Sequence, residues 1–328
     1  MVVLGASGFL GSAVTHALAD LPVRVRLVAR REVVVPSGAV ADYETHRVDL
    51  TEPGALAEVV ADARAVFPFA AQIRGTSGWR ISEDDVVAER TNVGLVRDLI
   101  AVLSRSPHAP VVVFPGSNTQ VGRVTAGRVI DGSEQDHPEG VYDRQKHTGE
   151  QLLKEATAAG AIRATSLRLP PVFGVPAAGT ADDRGVVSTM IRRALTGQPL
   201  TMWHDGTVRR ELLYVTDAAR AFVTALDHAD ALAGRHFLLG TGRSWPLGEV
   251  FQAVSRSVAR HTGEDPVPVV SVPPPAHMDP SDLRSVEVDP ARFTAVTGWR
   301  ATVTMAEAVD RTVAALAPRR AAAPSEPS

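Results

Sequence analysis

Short apolar runs and helical patterns alternate along the first half of this chain, and that alternation restricts its fold more than any other feature. Residues 2–4, 23–28, 45–48, 65–69, 111–114 and 164–169 read as strands. Residues 11–18, about 83–103 and 142–158 carry apolar side chains at helical spacing. A strand, a helix and a further strand in succession make a parallel pair, because the helix carries the chain back across the sheet face. Repeated up to residue 169, the pattern predicts an α/β fold, an open, doubly wound parallel sheet with helices on its faces.

Pro170, Pro171 and Gly174 end the alternation. Beyond them come helices near 186–196, 217–228 and 248–259, and short strands at 213–215 and 237–239. The division predicts a sheet domain over 1–169, rejoined by a segment near 211–240. A smaller C-terminal α/β domain, for substrate, would comprise 170–210 and 241–316. The proline-rich run 272–280 reads as a surface loop. The last residues are rich in Ala, Arg and Pro without periodicity, so 317–328 is expected to be a disordered tail.

Composition removes several function classes. A formal net charge of -3 leaves no basic field for nucleic acid. No apolar stretch is long enough to span a bilayer, so no membrane role is expected. The first residues, MVVLGASGFLG, lack the basic start and cleavage site of a secretory signal. There is no cysteine, which excludes disulfides, thiolate metal sites and thiol nucleophiles. The histidines show no metal-ligating spacing, so no metal is indicated. A cytoplasmic enzyme acting on a small molecule is the expectation.

Between the first strand and the first helix stands Gly5-Ala-Ser-Gly8-Phe-Leu-Gly11. In that context the glycines allow a tight turn, close backbone approach to a pyrophosphate and close helix–strand packing. The helix N-terminus then presents free N–H groups to the anion. Gly5, Ser7, Gly8, Phe9, Leu10 and Gly11 are thus expected to hold a dinucleotide on a Rossmann-type sheet. At the end of the second strand, where an NAD-binding fold usually places an acid, the chain reads Val28-Ala29-Arg30-Arg31-Glu32. The guanidinium groups of Arg30 and Arg31 suit a 2′-phosphate, which favours NADP(H). The other reading leaves the arginines in solvent and gives the ribose to Glu32. Asp49 and Leu50 are placed for the adenine, with a helix-capping role for Asp49 as the alternative.

Tyr142-Asp-Arg-Gln-Lys146 puts a phenol and an ammonium on one helix face. A free phenol, with a pKa near 10, is a poor acid–base group at neutral pH. A nearby cation favours the phenolate and is expected to lower that value. Ser117, in the run FPGSNTQVG after the fifth strand, stands at the carboxyl end of a parallel strand, where open sheets bind ligands. Its hydroxyl can orient a carbonyl against Tyr142, although serine is also a common turn residue.

Together these motifs resemble the extended short-chain dehydrogenase/reductases, the family of nucleotide-sugar epimerases, dehydratases and ketoreductases. GASGFLG is similar to its glycine motif, and Ala70-Ala71 in FPFAAQ to its alanine pair. Asn92 in RTNVGLVRDLI is similar to its helical asparagine. PGSNTQVG and YDRQK resemble its serine loop and tyrosine–lysine element, 25 residues apart from Ser117 to Tyr142. LRLPPVFG, DGTVRRELLYVTDAARAF and DPARFTAVTGW resemble later segments, so the likeness runs in order along nearly the whole chain. The resemblance implies catalysis by Ser117, Tyr142 and Lys146. It implies further cofactor contacts at Ala70, Ala71, Gln72, Asn92, Pro170 and Val172. It gives substrate contacts to Thr119 and, on the sugar nucleotide's diphosphate, to Arg210, with Arg209 the neighbouring alternative. It also implies a homodimer formed through helices near 84–103 and 142–158.

Departures narrow the choice. Dehydratases of this family follow the serine or threonine with Asp-Glu, where this chain has Asn118-Thr119. Enzymes that isomerise C3 and C5 use a cysteine in this loop, and none exists here. A reductase consumes an exchangeable cofactor, usually NADPH, and Arg30 and Arg31 favour it. The expected activity is NADPH-dependent reduction of the C4 ketone of a nucleotide-linked, dTDP-type 4-keto-6-deoxyhexose in deoxysugar biosynthesis. A nucleotide-sugar 4-epimerase is the alternative, and a non-catalytic NADP(H)-binding protein the second. Trp79 and Trp203 read as packing residues before ligand-stacking ones, and His147 as a helix-surface residue.

Overall fold

A computed structural model of the protein describes residues 1–74, 80–125, 128–176, 183, 185–203, 205–274 and 284–321. β1 (Val2–Leu4) leads into α1 (Phe9–Ala17), and β2 (Arg24–Ala29) and β3 (Asp42–Arg47) follow to one side. The chain returns through α2 (Ala55–Val60) to β4 (Ala65–Pro68), on the other edge of β1. Then come α3 (Leu95–Leu103), β5 (Val111–Ser117), α4 (Val141–Ala158) and β6 (Arg163–Leu169). After α5 (Val186–Leu195) and α6 (Val215–Asp227), β7 (His236–Leu238) completes the row. The order is β3-β2-β1-β4-β5-β6-β7, all parallel. The direction of winding reverses between β1 and β4, and the crevice at the carboxyl ends there is the ligand site of this architecture.

β1, β4 and most of β5 are buried because helices cover both sheet faces. On one face Val14 of α1 and Leu18, which caps that helix, meet Phe222 of α6 over Phe67 and Val113. On the other, Leu56, Leu99 and Leu153 of α2, α3 and α4 pack over Val66, Val112 and Phe114. β3, with the sequence DYETHR, is a largely exposed edge, and its charges suit an edge that must not pair with another chain.

A second apolar cluster joins α5, α7 (Leu247–Thr262) and α8 (Met305–Ala321), with Ile191, Phe251, Val254, Val309 and Val313 at its centre. Small strand pairs flank it, Leu200–Trp203 with Val269–Val272 and Arg209–Glu211 with Ser244–Pro246. Two features differ from expectation. Phe293 and Trp299, inside the segment expected in the smaller domain, pack into the sheet's own core against Phe237. The tail expected from 317 starts later: α8 runs to Ala321, with Pro318 inside its last turns. The rest of that tail, and most of the proline-rich run, lie outside the described residues.

Candidate active site

The glycine turn sits where β1, β2 and β4 end together. Gly5 adopts φ +83°, and a Cβ there would meet the Ala70 nitrogen at 2.7 Å. A Cβ on Gly11 would stand 2.2 Å from the Gly5 carbonyl oxygen. The turn, the start of α1 and the end of β4 thus approach as closely as backbone permits, and only glycine fits. The N–H groups of Gly5 and Ala6 donate to the Val28 carbonyl at 2.8 and 3.1 Å, tying the turn to β2. Gly8 caps α1 without a side chain. Phe9 and Leu10 open the helix with N–H groups that have no intrahelical partner. Ser7 is buried in the turn. Such a cradle of backbone donors fits a pyrophosphate.

Arg30 and Arg31 are exposed just past β2. Arg30 approaches Asp49 only to 3.9 Å. The Asp49 carboxylate accepts from the Thr51 hydroxyl and N–H at 2.7 and 3.0 Å, which holds it below the usual carboxylate range. Asp49 therefore closes a local turn, and Leu50 is buried in the sheet core.

Asn92 lies in a wide π-helical turn, Arg90–Gly94, that interrupts the helix expected over 83–103. Single wide turns of this kind concentrate at functional sites. The Asn92 amide donates to the Gln72 carbonyl and to Gln145 Oε1, each at 2.7 Å, and its oxygen accepts from the Gln72 N–H at 2.8 Å. It locks the segment after β4 to α4 one residue before Lys146. Ala70 and Ala71 lie half-buried between, and Pro170 and Val172 follow β6 directly.

Ser117 ends β5, and Tyr142 and Lys146 occupy the first turns of α4. Lys146 is 4% exposed, with Nζ 4.8 Å from the centre of the Phe114 ring and 5.8 Å from that of Tyr142. Burial pulls the Lys146 ammonium down to about 8. Burial also pushes the Tyr142 phenol above its ordinary value, and the Asp143 carboxylate adds to this. The expected lowering of the phenol by lysine is absent from the protein by itself, because desolvation opposes charge on both groups.

The serine loop is held from below by a network that sequence reasoning missed. The Ser117 N–H donates to Gln120 Oε1 at 2.8 Å, and Gln120 Nε2 donates to Glu150 at 3.1 Å. Glu150 accepts from Arg168, which also makes a bidentate pair with Asp136 at 2.7 and 2.6 Å. Arg168 is 1% exposed, in mid-core. Burial would raise the Glu150 carboxyl, but His236 and Arg168 override it and hold it far below the usual range. His147 leans on this network, 3.4 Å from Asp136, rather than standing on the surface. The available signal was helical spacing, since Glu150 follows Lys146 by one turn on the same face.

Above the loop, Thr119 is exposed and bonded to Ser117 and Asp143. In the strand Arg209–Glu211, Arg210 is half-buried and donates to the Arg284 carbonyl. Arg209 instead bonds Ser244 at 3.0 and 2.6 Å and lies 3.3 Å from Glu287. Trp203 is half-buried in the smaller unit, and Trp79 lies outside the described residues.

Known proteins offer comparisons. The chain is 28% identical to D-erythronate dehydrogenase of Cupriavidus necator over 60% of its length, a match that spans only 62% of that relative. It is 27% identical to UDP-glucose 4-epimerase of Mycolicibacterium smegmatis over 95% of this chain and 96% of the relative. Among solved structures, MoeE5 in complex with UDP-glucose and NAD superposes with a TM-score of 0.80 at 23% identity, covering 98% of this chain and 99% of the other. Residues 1–240 match the NAD dependent epimerase/dehydratase family, and the protein belongs to that family.

Proposed function

We propose that this protein reduces the C4 ketone of a nucleotide-linked 4-keto-6-deoxyhexose, with dTDP as the nucleotide, at the expense of NADPH. The observation that carries the reductive reading is the exposed pair Arg30 and Arg31 at the end of β2, where a 2′-phosphate would be held. The turn from Gly5 to Gly11 would hold the pyrophosphate. The Asp49 carboxylate and the backbone of the buried Leu50 would flank the adenine, and Ala70, Ala71, Gln72, Asn92, Pro170 and Val172 would line the way to the nicotinamide. That ring, when bound, supplies the hydride. Lys146 would bond the ribose and bring its charge to bear on Tyr142. Ser117 and Tyr142 would hold the ketone oxygen, and Tyr142 would pass its proton to that oxygen as negative charge develops there. Thr119 would touch the sugar and Arg210 the diphosphate.

A specific observation favours a second reading. The M. smegmatis relative, similar along nearly the whole chain, is a UDP-glucose 4-epimerase. An epimerase takes a hydride and returns it, so it consumes no cofactor overall. Nicotinamide absorbance separates the two readings. Stoichiometric oxidation of NADPH in preference to NADH, with a dTDP-4-keto-6-deoxyhexose, is the expected result. Conversion of a nucleotide sugar to its C4 epimer without net oxidation would replace it with the epimerase.

A further inference from the structure

Asp143 directly follows the candidate proton donor and has no part in the chemistry above. Its Oδ1 accepts from Thr119 Oγ1 at 2.5 Å, and Thr119 Oγ1 lies 2.7 Å from Ser117 Oγ. One hydrogen-bonded chain thus runs from a half-buried carboxyl on the first turn of α4 to the hydroxyl at the end of β5. Each hydroxyl has one proton to donate, so the chain points one way at a time. With Asp143 ionised, Thr119 must donate to it and can only accept from Ser117. Ser117 then turns lone pairs to the cleft. With Asp143 protonated, the carboxyl donates to Thr119 and Thr119 to Ser117, which frees the Ser117 proton for a carbonyl oxygen.

We propose that Asp143 is a positioning residue whose protonation state decides, through Thr119, whether Ser117 donates to the substrate oxygen or accepts from it. The proposal rests on the reading that Ser117 and Tyr142 hold that oxygen. No bond between heavy atoms changes in the switch. One proton passes from solvent to the carboxyl, and each hydroxyl proton changes its acceptor. The protonated chain suits a ketone, and the ionised chain suits an alcohol. Several groups bear on the carboxyl. Burial raises it, while the Thr119 hydroxyl, the Gly140 backbone and the guanidinium groups of Arg80 and Arg144 act in the other direction, and burial prevails. Tyr142 precedes it on the same turn. Arg144, which follows it, is itself engaged with Glu83 and the Glu139 carbonyl.

The test has two readouts on the same proteins. The Asp143 carboxyl stretch is isolated as the infrared difference between the wild type and Asp143→Asn, and followed against pH. Thr119→Val is expected to move its midpoint upward, because the Thr119 hydroxyl favours the ionised form. In parallel, reductive kcat of the wild type should fall roughly tenfold as pH rises through that midpoint, about the worth of one hydrogen bond. Both Asp143→Asn and Thr119→Val should lose this inflection. An inflection that persists in Asp143→Asn, or a carboxyl midpoint unmoved in Thr119→Val, overturns the proposal. A wild type that turns over no ketone would sink the functional reading alone, and the infrared midpoint would then decide the proposal by itself.

Discussion

Lys146 is a costly residue in the protein without its cofactor. Its folded-state pKa of about 8 lies below the ordinary 10.5. Between these values the unfolded chain holds more protons than the folded one, so stability rises with pH across that window and the full penalty applies below it. The penalty is on the order of 3 kcal/mol. Lys146→Met should therefore raise the melting temperature at neutral pH, with a gain that fades as pH climbs from 8 towards 10.5, as thermal unfolding at several pH values would show. A variant no more stable than wild type at neutral pH would mean that the ammonium is better solvated than its burial suggests. Tyr142→Phe keeps the ring and removes the proton donor. It should bind reduced cofactor normally, by fluorescence titration, and lose turnover by about 10²–10⁴-fold. Turnover like that of the wild type would remove Tyr142 from the mechanism.

At the scale of elements, the site depends on how β5 and α4 are clamped together. Gln120, Glu150 and Arg168 link the serine loop, the helix and β6 through buried bonds. A buried ion pair gives little net stability when intact, but losing one partner strands the other charge. Glu150→Ala should destabilise the fold by about 3–5 kcal/mol, measured by urea unfolding. The same carboxylate adds a pH dependence. Its folded-state pKa is depressed below the ordinary 4.5, so its contribution is complete above that value and is lost as pH falls below it. A Glu150→Ala variant as stable as wild type, with unchanged acid unfolding, would show that Asp136 alone satisfies Arg168. The π-helical turn at Asn92 acts similarly on the other side, fixing the strand end after β4 against α4.

For the whole molecule, a homodimer remains a proposal drawn from the family resemblance. Val86 and Val87, 75% and 50% exposed at the head of the helix that leads to α3, are apolar surface that a partner would cover. Light scattering should give twice the chain mass, and a monomer at all concentrations would refute it. The alternation of parallel strands with helices and the glycine turn were readable in sequence because both depend on local signals, apolar period and glycine spacing. The edge strand β3 blurred because an exposed edge carries charge instead of a period. The short strands of the smaller unit escaped because lone pairs of strands of two to four residues have little pattern of their own. Ser117, Tyr142 and Lys146 stood out as candidates through the ordered set of motifs, since the tyrosine–lysine spacing alone is common. The Thr119–Asp143 bond, the Arg168 cluster and the direction of the Tyr142 and Lys146 shifts were not. Those depend on which side chains from distant segments lose water together, and only the packed chain decides that.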